Sequence, residues 1–254
     1  MARTALITGA SSGFGAEYAR QLAARGTDLV LVSPEESALA ALAEGLRVAH
    51  AVRVEVLAAD LLHAGQLDTV IQRLTDAARP VDMLVNSAGF GLTQGFELND
   101  VHDEVRHLHL HVEVPLRLMH EAVRPMLQRG SGRIVTVASV AAFVPWGTYG
   151  ACKAWLVSFS RWANGRYSGR GVTFTAVCPG FTHTDFHVRM GLPRGEEGVP
   201  GWMWLDAHRV VAESLRDVAR GRGLSVPSWR YKALLALTRV LPVRLLAVLG
   251  RQGA

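Results

Sequence analysis

The chain has 254 residues, of which 49% are hydrophobic: enough for one large core, and too apolar for a disordered or low-complexity protein. No linker or charge run divides it, so a single domain over residues 1–254 is expected. The formal charge of +5 comes from scattered basic residues without the basic stripe and interleaved aromatics of a nucleic-acid binder, so no nucleic-acid partner is expected.

Only residues 1–3 precede the first apolar run, leaving no room for a signal peptide, and no run of eighteen apolar residues follows; a cytoplasmic protein is expected. Residues 4–8 read as a buried strand that runs into Thr8-Gly9-Ala10-Ser11-Ser12-Gly13-Phe14-Gly15 and a helical pattern over 13–25. Gly9 permits a tight turn, Gly13 lets a pyrophosphate approach the backbone, and Gly15 allows close helix packing, while the helix N-terminus favours phosphate. A helix start that merely needs glycine has the same look. The next strand, 29–32, ends on Ser33-Pro34-Glu35, and a third, 52–57, is followed by Asp60 and Leu61. Asp60 there either accepts from an adenine amino group or caps the next helix, 66–78. Strand 81–85 ends on Asn86-Ser87-Ala88-Gly89, a short polar turn with backbone clearance for a flat nicotinamide or its ribose.

A long helical pattern over 101–128 carries His107, His109 and His111. His107 and His111 stand one turn apart and can share a ligand, but no third ligand accompanies them, so buried helix histidines rather than a metal site are expected. Strand 133–138 then ends on Ser139, and a helix over 149–167 begins with Tyr149 and Lys153. Cys152 on that helix and Cys178 after strand 172–177 are too few for a disulfide framework, which favours a reducing compartment. A helix over 207–220 and a short strand at 224–226 complete the alternation. Such alternation implies an α/β fold: a single Rossmann-type, doubly wound parallel sheet of about seven strands with helices on both faces. Ligands bind such sheets beyond the carboxyl ends of the strands, where the polar and glycine turns fall.

Tyr149 and Lys153, four apart, emerge on one helix face and can act on the same ligand atoms. A tyrosine is too weakly acidic near neutral pH without help, and an adjacent ammonium lowers its pKa while donating to ribose hydroxyls. A surface Tyr and Lys at a helix start is the ordinary alternative. Against it, only two of 27 basic residues are lysines, so a lysine at 153 is unexpected if charge alone mattered. Ser139, ten residues before Tyr149, can polarise a carbonyl.

Thr8–Gly15, Asp60, Asn86–Gly89, Ser139, Tyr149-x-x-x-Lys153 and Pro179-Gly180, in this order, resemble the short-chain dehydrogenase/reductase family. The resemblance implies an NAD(P)-dependent oxidoreductase that moves a hydride between nicotinamide and a carbonyl or secondary alcohol. It makes Tyr149 the general acid/base, Ser139 the carbonyl orienter and Lys153 the ribose ligand that lowers the tyrosine pKa. Gly9, Ser11, Ser12, Gly13, Phe14, Gly15, Ser33, Asp60, Leu61, Asn86, Ala88, Gly89, Tyr149 and Lys153 would line the cofactor; Pro179, Gly180, Thr182 and Thr184 would hold its carboxamide and pyrophosphate. Three departures stand out. Asn-Ser-Ala-Gly replaces the family's NNAG, the segment from Ser139 to Tyr149 is shorter than is common, and His111 occupies the place of a helical Asn that completes a proton relay. With Ser33 where an acidic residue would select NAD, NADP is preferred over NAD, although Glu35 and Glu36 argue the other way. The rival reading is a catalytically impaired, nucleotide-binding regulatory protein on the same fold.

Phe143, Trp146, Phe186, Met190, Trp202, Met203 and Trp204 suggest an apolar substrate, or simply core packing, with 185–205 as a substrate-lid segment. The helical extension 227–254 mixes leucines with basic residues: either an amphipathic surface helix or, since Pro242 interrupts it, two short segments packed on the domain or on another subunit. A homodimer or homotetramer is expected, with peripheral membrane contact the lesser alternative.

Overall fold

Alternate residues of the strands face opposite sides of the sheet, and both sides are buried. Ala5 and Ile7 of β1 (Thr4–Thr8) and Leu29 and Leu31 of β2 (Asp28–Ser33) enter one core. Leu6, Val30 and Val32 enter the other. The computed structural model describes residues 3–92, 94–184, 186 and 199–238. With β3 (Val54–Ala58), β4 (Met83–Asn86), β5 (Gly132–Val137), β6 (Val172–Val177) and β9 (Leu224–Ser225), these strands form a seven-stranded parallel sheet in the order β3-β2-β1-β4-β5-β6-β9. Strand order reverses between β1 and β4, paired from Ala5↔Met83 to Ile7↔Val85. The crevice beyond their carboxyl ends is the switch-point site of this architecture.

On one face lie α1 (Gly13–Ala23), α2 (Glu36–His50) and α7 (Ala207–Ala219), which bury Tyr18, Leu39 and Val211. On the other lie α3 (Ala64–Thr75), α5 (Val114–Arg129) and α6 (Gly147–Tyr167), which bury Leu67, Leu118 and Ala163. Truncating any one of the large side chains in these layers to alanine costs about 2–5 kcal/mol. Helix α2 was not among the expected elements. Its buried stripe is only Leu39, Ala43 and Leu46, a narrow seam in an alanine- and glutamate-rich stretch.

The helix expected over 101–128 is instead α4 (Val101–Leu108), a π-turn (His109–Glu113) and α5. Proline at 115 has no N–H to give to the carbonyl four residues back, and its ring crowds that carbonyl. The widened turn just before it absorbs the mismatch, and Val114 N–H reaches back to His109 O instead. A two-strand pair outside the main sheet joins β7 (Thr182–His183) to β8 (Leu205–Asp206). The last described helix is α8 (Trp229–Thr238). The expected lid, 185–205, is described only at residue 186 and from 199 onward, and the extension only to residue 238; Met190 and Pro242 lie outside the described residues.

Candidate active site

The end of β1 is tied to the end of β4 by Thr8, whose hydroxyl accepts the Ser87 and Ala88 N–H groups at 3.0 and 3.2 Å. Gly9 follows at φ +65°, and a Cβ there would stand 2.8 Å from Ala88 Cα; a Cβ at Gly15 would stand 2.1 Å from Gly9 O. Both positions therefore exclude any side chain. Gly13, at φ +53°, has only the Thr184 side chain near it, at 3.7 Å. The Ser12 hydroxyl makes no capping bond to α1. A side-chain-free cradle at a helix N-terminus, closed by Thr184, fits a pyrophosphate. The Phe14 ring packs into the core beneath α1.

At the adjoining corner the Ser33 and Ser11 hydroxyls lie 3.0 Å apart, and Ser11 donates to a Glu35 carboxylate oxygen, also at 3.0 Å. Ser33 donates to the same carboxylate. Glu35 thus reaches the glycine turn. Asp60 is exposed and accepts from Leu62 N–H at 2.9 Å; α3 begins only after His63, so Asp60 closes a turn and is not that helix's N-cap. The Leu61 side chain is buried in the core on the α3 side, so only its backbone is available to a ligand.

Asn86, at the end of β4, is buried with both amide atoms unpaired within the protein. A cavity of about 10 Å³, room for one water, is bounded by Asn86, Thr8, His111 and Lys153. His111 is buried in the π-turn, and its Nε2 lies 2.8 Å from Phe90 O. Phe90 N–H also points at Nε2, at 3.2 Å; in the tautomer in which Nε2 donates to the nearer carbonyl, Nδ1 is the acceptor, and Nδ1 is buried without a protein partner. The ring fills the space beside Gly89, where a Cβ would come within 2.5 Å of it. His107 stacks on His111 with centroids 4.2 Å apart and places Nδ1 3.9 Å from the Cys152 sulfur. Burial, then the Lys153 charge, pushes both imidazoles down, His107 to about 4 and His111 well below its usual range. His109 turns outward toward Glu113. Among the described residues no three His, Cys, Asp or Glu side chains group to hold a metal.

Ser139, Tyr149 and Lys153 meet beside this cluster. Ser139 caps a 3₁₀ turn (Val140–Phe143), its hydroxyl accepting Ala141 N–H at 3.1 Å, and it is close enough to Tyr149 to act on the phenol's acidity. Tyr149 sits in the first turn of α6, and its pKa is pushed up to about 12 by burial, with Ser139 pulling the other way. The Lys153 ammonium, 5.4 Å from the Tyr149 ring centre, donates to Val137 O at 2.9 Å, and burial brings its pKa down to about 8. Burial sets the direction of the Tyr149 shift; the lowering by Lys153 stays what the family resemblance implies. Of the expected apolar wall, Phe186 faces Tyr149 at 6.2 Å, Trp204 stacks on His183, and Phe143 and Met203 pack into the core near α8. Trp202 is exposed.

Pro179 O accepts Val140 N–H at 3.0 Å, so the turn after β6 is pinned beside Ser139. Thr182 is buried, its hydroxyl donating to Gly180 O. Tyr231 lies against Gly180. Sequence reasoning placed it only in the C-terminal extension, because nothing local links residues 51 positions apart.

The sequence profile for short chain dehydrogenases matches residues 3–192. Sulfoacetaldehyde reductase 2 of Chromohalobacter salexigens is 32% identical over 227 residues, 86% of this chain and 87% of that protein. A short-chain dehydrogenase of Sphingobium yanoikuyae in complex with NADPH has a TM-score of 0.85 at 33% identity, over 94% of this chain and 96% of that one. The bulky-bulky ketone specific alcohol dehydrogenase of Comamonas testosteroni reaches a TM-score of 0.80 at 29% identity, over 94% and 95% of the two chains. The chain belongs to the short-chain dehydrogenase family and is an NAD(P)-dependent oxidoreductase.

Proposed function

We propose that the protein reduces a carbonyl, or oxidises the matching secondary alcohol, of an apolar substrate. One observation carries this reading: Tyr149 and Lys153 lie together, the ammonium 5.4 Å from the ring centre, next to Ser139 and beside a glycine cradle suited to a dinucleotide. When bound, the cofactor supplies or accepts the hydride. Tyr149 gives its proton to the carbonyl oxygen while Ser139 donates a hydrogen bond to the same oxygen. Lys153 holds ribose hydroxyls and, across the water-sized cavity, faces His111, the entry to a proton path. The intact Tyr149–Ser139 pair disfavours the catalytically impaired regulatory reading.

NADP is placed before NAD: Ser33 leaves room for a 2′-phosphate, and the relative at 33% identity is described with NADPH. Glu35 opposes that choice through its charge. A homodimer or homotetramer is supported by exposed Val101, Val105 and Leu108 along one face of α4, and a reducing, cytoplasmic compartment by the two free cysteines. The test is a panel of ketones and aldehydes with NADPH and with NADH, followed at the nicotinamide absorbance. Oxidation of either cofactor that requires the carbonyl is the expected result; binding without turnover across the panel would restore the regulatory reading.

A further inference from the structure

One side chain bonds both Phe181, which follows the Pro179-Gly180 turn, and Met203. The Tyr231 hydroxyl accepts Phe181 N–H at 3.1 Å and donates to Met203 O at 2.8 Å. Its ring lies on Gly180 so closely that a Cβ there would fall 1.9 Å from Cζ. Around this contact Leu205 N–H bonds Phe181 O at 2.8 Å, and the Phe181 and Trp204 rings pack at 5.8 Å.

The helix that brings Tyr231 here is itself anchored. Lys232 pairs with Glu213 of α7 at 2.6 Å, the other Glu213 oxygen accepts Ser228 N–H at 3.1 Å, and Arg230 donates to Trp202 O at 2.7 Å. Ser228, just before the helix, sits at φ +98°, a strained conformation for a non-glycine residue that persists only where the surroundings enforce it. Tyr231 is 3% exposed and packs with Ala138, Leu156 and Cys178, beneath the strand end that carries Ser139.

From this geometry we infer that Tyr231 is a positioning residue for the cofactor: from α8 it fixes the turn at 179–182, and with it the grip on the nicotinamide end. The inference rests on the oxidoreductase reading above. The turn is held from one side by Val140 N–H and from the other by Tyr231, so loss of the second hold frees Phe181 N–H and shifts the backbone that meets the ligand.

Tyr231→Phe isolates the hydroxyl, since the ring and its packing remain. The expected NADPH dissociation constant, by fluorescence titration, is about tenfold higher, as follows from unpairing one amide and one carbonyl. At saturating cofactor kcat should stay within about twofold of the parent, a split that general destabilisation would not give. In the cofactor-free protein the Phe181 amide should exchange with solvent faster, while amides of β6 keep their protection. Gly180→Ala, which drives a methyl into the Tyr231 ring so that the ring or the turn must shift, should weaken NADPH binding in the same way. Parent-like affinity together with parent-like Phe181 exchange in Tyr231→Phe overturns the role given to Tyr231 alone; a parent that binds neither NADPH nor NADH overturns the cofactor reading and this inference together.

Discussion

The glycine turn after β1 and the pocket around Tyr149 flank one crevice but obtain their function in opposite ways. In the turn the working parts are backbone, and the side chains matter by being absent: Gly9 and Gly15 have no room for a Cβ, and Gly13 keeps an open face toward Thr184. In the pocket the working parts are titratable side chains, and burial moves every one of them against its charged form. Tyr149 rises to about 12, Lys153 falls to about 8, and His107 falls to about 4. Errors in the first region should therefore be steric and abolish binding. In the second they should be electrostatic, leaving binding while changing rate or pH dependence.

Tyr149→Phe is the sharpest way to separate the two. Removing the hydroxyl while keeping the ring should lower kcat by about 10²–10⁴-fold, the usual contribution of a positioned proton donor. Cofactor affinity should stay within about twofold, because the glycine cradle is untouched. Unchanged turnover would remove Tyr149 from the chemistry. Gly15→Ala should do the reverse. The new methyl meets Gly9 O, and the turn must open at a cost of about 1–3 kcal/mol. NADPH and NADH affinity should both be lost with Tyr149 and Ser139 in place, as titration calorimetry would show; retained affinity would mean that the turn relaxes and the cradle is not rigid.

The pocket's burial also predicts a pH effect on stability. His107 has a folded-state pKa of about 4 against an ordinary value near 6.5, so between those values the unfolded chain binds the extra proton. Its contribution is therefore fully present above pH 6.5 and is lost as pH falls toward 4, by about 3 kcal/mol in all. His111, shifted the same way, adds to the loss. Urea unfolding of the parent and of His107→Gln at pH 7 and pH 4.5 checks this. The parent should lose more stability than the variant, and equal losses would place acid sensitivity elsewhere. A smaller effect belongs to the corner of the glycine turn. Glu35→Gln removes a charge facing Ser11 and Ser33 and should tighten NADPH binding about fivefold, roughly 1 kcal/mol of repulsion, with little change for NADH. Tightening of NADH instead would mean that the carboxylate does not face the 2′ position.

These two regions also differ in how far they could be read from the sequence. The glycine turn is a local pattern, and the strand that feeds it, residues 4–8, was expected with the limits the structure gives. The other strands of the main sheet fell within a residue or two, because their runs are largely apolar, whereas the two-residue strands β7 and β8 were not expected. Ser139, Tyr149 and Lys153 were legible as types at a spacing, but the depth of their burial, a tertiary property that raises the Tyr149 pKa and lowers that of Lys153, was not. Tyr231 was invisible for the same reason, since its meeting with Gly180 depends on where α8 docks. The π-turn had a sign in Pro115, although a proline near a helix start more often marks an N-terminus than a widened turn.

His111 joins the two regions: its ring lies against Gly89 of the β4 turn and lines the cavity shared with Lys153. An asparagine in its place can bridge a water but cannot take up a proton, so His111→Asn asks whether the imidazole's own titration enters the reaction. Burial and the Lys153 charge hold His111 neutral far below its usual range, so at pH 7 to 8 both proteins carry an uncharged group there and should turn over at similar rates. An alkaline limb tied to Lys153, near pH 8, should persist in both. The difference belongs at the acid end. As pH drops, protonation of His111 adds a second cation beside Lys153 and removes the acceptor at Nδ1, so the parent's rate should fall with a limb that the asparagine variant lacks. Profiles of kcat in both proteins, from pH 9 down to the acid edge of the folded state, read this directly. Coincident profiles over the whole range would make His111 a packing residue, while a loss of rate at pH 7 in the variant would mean that proton uptake by the ring is required even where the group is neutral at rest.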